Sequence, residues 1–191
     1  DAGGSTPLHF AASSGANQVV KELISHGVDP NSTDGDGRTP LHRAATEGHT
    51  ETIKLLIKYG ANPDIRGGPF GFTPLHLAAF DGYTEAVKIL IQLGANPNTK
   101  NANDWTPLHW AVVRGNLDTV KALISLGADP NIANDETGFS PLHLASIVGR
   151  IEIIKTLIAL GADINMKDCL DRTPLDLATK PEIKEILEKN K

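Results

Sequence analysis

The sequence predicts an all-α solenoid in which short helix pairs stack side by side along one axis. A four-residue motif recurs six times at nearly constant spacing, and the segment that follows each of the first five copies also repeats. The two insertions, of one residue each, fall between that second segment and the next motif. Self-similarity at a period of about 20–50 residues indicates repeat units that share one continuous core.

The motif is Thr-Pro-Leu-His, with Ser replacing Thr in the fifth copy and Asp replacing His in the sixth. Thr and Ser are good helix N-caps, and Pro suits the first helical position, where no N–H donor is needed. The His at the third helical position can reach back to the cap. A first helix is therefore predicted after each capping residue: Thr6, Thr39, Thr73, Thr106, Ser140 and Thr173.

Small residues follow the motif and give the first helix a thin face. Ala11 and Ala12 are the example in the first copy, and Gly15 follows them as a helix-ending residue. A thin face lets neighbouring helices approach closely. We therefore expect the first helices of successive repeats to pack directly against each other.

A second helix is predicted in each of the first five units from apolar pairs three and four residues apart. In the first unit these pairs are Val19-Val20 and Leu23-Ile24, and Gly27 and Pro30 then end the helix. The stretch between this Gly and the next motif takes the insertions, which loops tolerate. The sixth copy lacks about four residues between its two helices and ends in a Lys/Glu-rich helix, as expected of a polar terminal cap.

This unit resembles the ankyrin repeat, which has a length near 33 residues and a Thr-Pro-Leu-His-x-Ala core. The resemblance covers essentially the whole chain and implies antiparallel helix pairs with a β-hairpin-like loop projecting from each junction. It implies one domain, residues 1–191, with repeats at approximately 1–33, 34–67, 68–100, 101–134, 135–167 and 168–191.

Composition excludes several classes of function. A net charge of -5 disfavours nucleic-acid binding, which relies on an excess of Lys and Arg on one face. No apolar run approaches the ~18 residues of a membrane span, so no membrane insertion is expected. The single cysteine, Cys169, excludes an internal disulfide and a cysteine-based zinc site, and favours an intracellular location in the cytoplasm or nucleus. Because the sequence begins at Asp1, we expect a segment of a longer protein.

The histidines and carboxylates fit structural roles better than catalytic ones. Five of the seven histidines end the motif, and successive copies should lie about 10 Å apart, too far to share a zinc ion. A metal or proton-relay ladder is therefore much less favoured than a structural role. Glu51 and Lys54, like their equivalents in other repeats, fit i, i+3 ion pairs on a helix surface. The sequence predicts no catalytic, metal or cofactor-binding residue and no cofactor.

Positions that vary in register are free for recognition. The residue before the capping Thr or Ser is aromatic in repeats 3–5 and Arg on either side, and the end of the first helix is also apolar in repeats 3–5. Aromatic and Arg clusters are typical of binding hot spots, although these side chains could instead pack against neighbouring hairpins. The predicted partner-binding residues are Arg38, Phe70, Phe72, Phe80, Asp81, Trp105, Trp110, Val113, Arg114, Phe139, Ile147 and Arg172.

The leading functional prediction is a non-enzymatic, monomeric scaffold that binds a protein or peptide. The resemblance implies a concave groove, lined by hairpin tips and first helices, as the place of binding. The alternative is a regulatory or targeting domain of a larger protein, such as a ubiquitin-ligase adaptor, channel, kinase or bacterial effector. An enzyme or small-ligand site is disfavoured, because thin helix pairs leave no deep cavity.

Overall fold

The computed structural model describes residues 3–190, and helices dominate them. Repeats 1–5 each contribute a first helix and a second helix, and the sixth contributes one helix. The eleven helices of the described residues are α1 (Pro7–Ser13), α2 (Asn17–Ser25), α3 (Pro40–Thr46), α4 (Thr50–Lys58), α5 (Pro74–Asp81), α6 (Thr84–Gln92), α7 (Pro107–Arg114), α8 (Leu117–Ser125), α9 (Pro141–Val148), α10 (Ile151–Ala159) and α11 (Pro181–Lys189).

The helices form two parallel rows. Each first helix packs against the first helix of the next repeat, and each second helix against the next second helix. Within a repeat the two helices also pack on each other, and α11 closes the row of second helices against α10. The predicted all-α solenoid is therefore confirmed. None of the helices in residues 3–190 has the length and apolar character needed to cross a bilayer.

The apolar faces of all repeats merge into one core cluster that runs from Leu8 to Leu187. The small residues beside the motif, such as Ala44 and Ala45, are also fully buried and bring neighbouring first helices together. One helix pair could not bury this surface alone, so the repeats stabilise each other. The motif leucine is 0% exposed in five repeats: Leu8, Leu41, Leu75, Leu108 and Leu142.

The motif histidine links each repeat to the next. In repeat 2, His42 Nδ1 lies 3.0 Å from the Thr39 backbone N and 2.8 Å from the Thr39 hydroxyl, and His42 Nε2 lies 2.9 Å from the Phe72 carbonyl. A backbone N–H can only donate, so Nδ1 is unprotonated and the Nε2–H donates to the carbonyl. We call this series the histidine ladder; its other rungs are His9 to Arg38, His76 to Trp105, His109 to Phe139 and His143 to Arg172.

The loops between repeats are hairpin-like turns, as predicted. The Asp34 backbone N donates to the Arg38 carbonyl at 2.9 Å, while Asp34 Oδ1 accepts from the backbone N of Asp36 and of Arg38. Repeat 3 closes its longer loop by an antiparallel pair of backbone bonds between Gly67 and Phe72. Successive loops are joined by backbone hydrogen bonds, such as that from the Gly68 N–H to the Asp36 carbonyl at 2.8 Å. The side-chain acceptors equivalent to Asp34 are Asn101, Asn134 and Asp168.

The sixth repeat departs from the predicted helix pair. Residues 174–177 form turns rather than a first helix, and the regular structure resumes only at Pro181. Asp176 still accepts from the Thr173 backbone N at 2.8 Å and from the Thr173 hydroxyl at 2.7 Å. The Asp176 carboxylate has no ring N–H and cannot donate to a following repeat as the motif histidines do. Pro181 begins the last helix too soon after Thr173 for a first helix to form. The cap is therefore thinner than expected.

Gly48 provides a sharp test of the stacking geometry. Its φ is +69°, and a Cβ placed there would lie 2.6 Å from the Tyr83 ring of the next repeat. Gly27 has a φ of +86° but no atom within 4 Å of such a Cβ. Both Ala variants strain the backbone, so we expect Gly48→Ala to lower the free energy of unfolding by about 1–3 kcal/mol more than Gly27→Ala. Urea denaturation measures the difference, and equal losses would contradict the tight inter-repeat contact.

Candidate protein-binding surface

Trp110 on α7 is the centre of an aromatic surface that spans repeats 3 and 4. Its ring centroid lies 4.7 Å from that of Trp105, 5.4 Å from Phe72 and 5.5 Å from Phe80. The contacts with Phe72 and Phe80 are edge-to-face, a geometry that aromatic pairs prefer. The hairpin of repeat 3 and the first helices of repeats 3 and 4 therefore meet at one indole ring.

Two more side chains extend this surface. Phe70, in the longer loop of repeat 3, has its ring 5.9 Å from Phe72 and remains 50% exposed. The Arg114 guanidinium lies 4.5 Å from the Phe80 ring centroid, in a cation–π contact. The aromatic surface, as the term is used below, consists of Phe70, Phe72, Phe80, Trp105, Trp110 and Arg114.

The predicted residues divide into those that also support the core and those that do not. Trp105, Val113 and Phe139 are half-buried and pack against the core cluster. Phe80 and Ile147 are also half-buried but do not belong to the set packed on that core. Truncating Trp105 or Phe139 would therefore alter stability together with binding. Phe70, Phe80 and Ile147 are cleaner reporters of recognition.

Three of the six predicted residues outside the aromatic surface make local contacts of their own. The Phe139 ring stacks on His143 at 5.9 Å. Arg172 donates to the Asp168 carboxylate of its own hairpin at 2.8 Å. Arg38 lies over the loop of repeat 3, with its Nε 3.2 Å from where a Cβ on Gly68 would stand. The structure thus groups the side chains of repeats 3 and 4 and gives both arginines local contacts within the hairpins.

The histidine ladder holds the backbone of the variable hairpin positions. The carbonyls of Phe72, Trp105 and Phe139 each accept from the histidine of the preceding repeat at 2.9–3.2 Å. Burial lowers the pKa of His76 and of His109 to about 4, and likewise that of His42. These histidines are therefore neutral near neutral pH and are fully engaged in structural hydrogen bonds. Their effect on recognition is indirect, because they fix the main chain from which the aromatic side chains project.

Charged residues flank the aromatic surface. Asp81 is the last residue of α5, Glu47 is the C-cap of α3, and Arg114 is the last residue of α7. Partial burial raises the pKa of Asp81; the nearby Arg114 opposes this rise and Glu47 adds to it. The first-helix ends are therefore acidic in repeats 2 and 3 and basic in repeat 4. Glu47 and the 41% exposed Val148 of repeat 5 were not among the predicted residues, although the repeat register places them beside Asp81 and Arg114.

The opposite row of helices offers a groove of about 800 Å³ on α6, α8 and α10. Ala122 forms part of its floor, at the position where earlier repeats have the larger Leu55 and Ile89. On the same face, Glu85 pairs with Lys88 at 2.6 Å, as predicted for these columns. The groove is a depression beside ion-paired side chains, with no aromatic residue among those that line it. We therefore place the candidate site on the aromatic surface.

No group of three or more His, Cys, Asp or Glu residues within 3–190 is arranged to hold a metal ion.

Sequence comparison with protein families matches ankyrin repeats over residues 1–67 and 65–134, and again over residues 123–178. These matches span most of the chain and coincide with the helix pairs.

The chain belongs to the ankyrin-repeat family.

Comparison of this ankyrin-repeat domain with solved structures supports the same conclusion. It matches the crystal structure of the ankyrin repeat domain of Bcl-3, described as a unique member of the IkappaB protein family, with a TM-score of 0.91 and 29% sequence identity. The match covers 98% of this chain and 84% of the Bcl-3 chain. A search of curated protein sequences gives no significant match. Together, the family and the structural match identify a protein-interaction domain on a fold known for binding rather than catalysis.

Proposed function

We propose that this ankyrin-repeat domain binds a protein or peptide along the groove formed by the first helices and hairpins of repeats 3–5. The observation that carries this proposal is the cross-repeat contact of Phe72, Phe80 and Trp105 around Trp110. Aromatic and Arg side chains on a rigid support have the composition of interface hot spots. The partner would extend along the row of first helices, over the aromatic surface and towards Ile147.

Rigidity supports the proposal independently of composition. Each variable hairpin residue is fixed by a ladder hydrogen bond to its carbonyl, and each hairpin is closed by its own backbone bond. A surface that is ordered before binding loses little conformational entropy when the partner arrives. The hairpins and first helices therefore suit recognition better than a mobile loop would.

The test uses a triple variant, Phe70→Ala, Phe80→Ala and Ile147→Ala. We expect it to lower the affinity for a purified partner by at least about tenfold, because hot-spot truncation costs about 2 kcal/mol or more. Partners are first identified by pull-down with the wild-type domain and mass spectrometry, and their dissociation constants are then measured by calorimetry. The fall in melting temperature should be modest, because none of the three side chains packs on the core cluster and only one of the three ring contacts of Trp110 is removed.

A matched control is available on the other side of the molecule. Tyr59, Leu93 and Leu160 are exposed apolar residues just after second helices, 41%, 41% and 42% exposed. Their triple Ala variant removes comparable exposed apolar surface and should leave the affinity unchanged. If this control weakens binding and the first triple variant does not, the partner binds elsewhere and the proposed surface is wrong.

A further inference from the structure

Glu47 and Asp81 occupy positions that do not favour the folded chain. Each carboxylate stands at the C-terminal end of a first helix, where the backbone carbonyls already concentrate partial negative charge. Negative side chains are stabilising at the other end of a helix and destabilising here. Local arrangements that oppose stability are expected mainly at functional sites. The two carboxylates therefore suggest a role in binding.

Neither carboxylate has an ion-pair partner within residues 3–190. The glutamates on the second helices differ: Glu51, Glu85 and Glu152 each hold a lysine at 2.6–2.8 Å. Glu47 and Asp81 end two neighbouring first helices, α3 and α5, which pack against each other. Their negative charges therefore lie on adjacent repeats, and the charge of Glu47 helps to raise the pKa of Asp81. A cation placed between them would remove both the mutual repulsion and the conflict with the helix ends.

The neighbouring surface defines the rest of the partner. Asp81 directly follows Phe80, whose ring contacts Trp110, and the same row continues to Val113, Ile147 and Val148. Acidic character thus ends at repeat 3, and apolar character extends through repeats 3–5. Arg114 interrupts the apolar row only partly, because its guanidinium lies against the Phe80 ring.

We propose that the partner is an extended, basic-apolar peptide segment, with a lysine or arginine seated between Glu47 and Asp81 and apolar side chains over Val113 and Ile147. This inference rests on the proposed function and names the chemistry of its ligand. Stacked helices lie about 10 Å apart, and an extended chain advances about 3.3 Å per residue, so each repeat spans roughly three residues of the segment. The basic residue should therefore lie about four to five positions from the apolar residue over Val113 and about seven to eight positions from the one over Ile147.

A phage-displayed library of random peptides, about 16 residues long to cover the separation expected from strand geometry, provides the probe. Peptides selected on the wild-type domain are synthesised, and their affinities are measured by fluorescence anisotropy. We expect a Lys or Arg in the selected sequences about four to five positions from one apolar residue and about seven to eight positions from another. The charge-reversing variant Glu47→Lys/Asp81→Lys should weaken these peptides at least about tenfold, because like charges then meet.

Two controls make this result specific. Asp118→Lys/Glu188→Lys changes the net charge equally at two exposed acidic residues outside the proposed surface, and it should leave the affinity within about twofold. Replacing the peptide's basic residue with Glu should restore binding to Glu47→Lys/Asp81→Lys and abolish it on the wild type. The neutral variant Glu47→Gln/Asp81→Asn should also melt at a higher temperature than the wild type, because it removes both the mutual repulsion and the conflict with the helix ends. A lower melting temperature would contradict the unfavourable placement of the two carboxylates.

The outcomes separate this inference from the proposed function. Peptides that need Phe70, Phe80 and Ile147 but bind Glu47→Lys/Asp81→Lys unchanged would overturn the basic-apolar ligand and leave the surface in place. Peptides that are indifferent to both sets of variants would overturn the surface itself. Selection of acidic sequences in place of basic ones would also overturn the proposed chemistry.

Discussion

Acidification from about pH 6.5 to about pH 4 should unfold this domain, because three buried histidines must then accept protons. Burial lowers the pKa of His42, His76 and His109 from 6.5 to about 4. Their neutral forms are favoured in the folded chain, so the unfolded chain binds more protons throughout this window. The stabilisation is complete above pH 6.5 and is lost as the pH falls towards the folded pKa.

The expected effect is large. Each histidine should lower the free energy of unfolding by up to ~1.4 kcal/mol per pH unit inside the window, which amounts to roughly 3 kcal/mol per histidine. Three such losses are comparable with the whole stability of an ordinary domain, about 5–15 kcal/mol. The pKa of His143 is lowered by burial as well, and it adds to the loss in the same direction.

The Asp34 carboxylate acts at lower pH. Burial would raise the pKa of Asp34, but hydrogen bonds from the Arg38 backbone and from the Arg43 side chain hold it below its ordinary value. The stability that comes from Asp34 is present above its unfolded pKa of 3.8 and is lost only as the pH falls below that value. Unfolding that begins near pH 6 and is well advanced by pH 4 would therefore report the histidines rather than this carboxylate.

Urea denaturation at a series of pH values measures the slope directly. His76→Gln should have a shallower slope than the wild type by up to ~1.4 kcal/mol per pH unit, whatever its stability at neutral pH. His26→Gln, at an exposed position, controls for the loss of a histidine as such. A wild-type free energy of unfolding that stays constant from about pH 6.5 to about pH 4 would refute the neutral ladder.

Trp110→Ala should substantially lower both the stability of the domain and its affinity for a partner. The indole contacts three aromatic rings, so we expect the free energy of unfolding to fall by about 2–4 kcal/mol, slightly less than for a fully buried Trp. Partner affinity should fall as well, because Phe72 and Phe80 lose the ring that holds them together. Urea denaturation and calorimetry measure the two losses separately.

A conservative variant separates ring packing from the indole N–H. The Trp110 Nε1 is shielded from solvent and has no hydrogen-bond partner in the structure, so the N–H itself opposes folding. Trp110→Phe removes that group and keeps an aromatic ring, and its stability should remain within about 1 kcal/mol of the wild type. Phe10→Ala, at the same register position in repeat 1 and 57% exposed, should cost less than about 1 kcal/mol. Equal losses in the free energy of unfolding for Trp110→Ala and Phe10→Ala would show that the ring contacts of the indole do not stabilise the fold.

Most of the fold could be predicted because each repeat carries its own signals for where helices begin and end. The capping Thr or Ser, the adjacent Pro and the helix-ending Gly act on their immediate neighbours, and the structure places helix starts at Pro7, Pro40, Pro74, Pro107 and Pro141 accordingly. The sixth repeat was harder, because it has the cap and the Pro but too few residues before Pro181 for a first helix. Local signals therefore predicted the elements wherever the chain had room for them.

For the candidate site, the sequence predicted which residues occupy equivalent positions in successive repeats, but not which side chains contact each other. Repeat register correctly indicated that Phe72 and Trp105 share one position, but not that Trp110 would contact both, because such contacts depend on the rotation between repeats. The local pairing of Arg172 with Asp168 was missed for a different reason. An Asp or Asn recurs in the sequence four residues before several of the residues that precede the capping Thr or Ser. This pattern could have indicated an acceptor within the hairpin that pairs with the arginine.

The histidine ladder separates two tasks at the same residue. At Phe72, Trp105 and Phe139 the main-chain carbonyl joins the repeats, while the identity of the side chain varies from one repeat to the next. Every amino acid has that carbonyl, so a substitution at these sites preserves the rung while it changes the surface. Single mutations can therefore change the side chain displayed at these positions, and the hydrogen bond between the repeats keeps its acceptor.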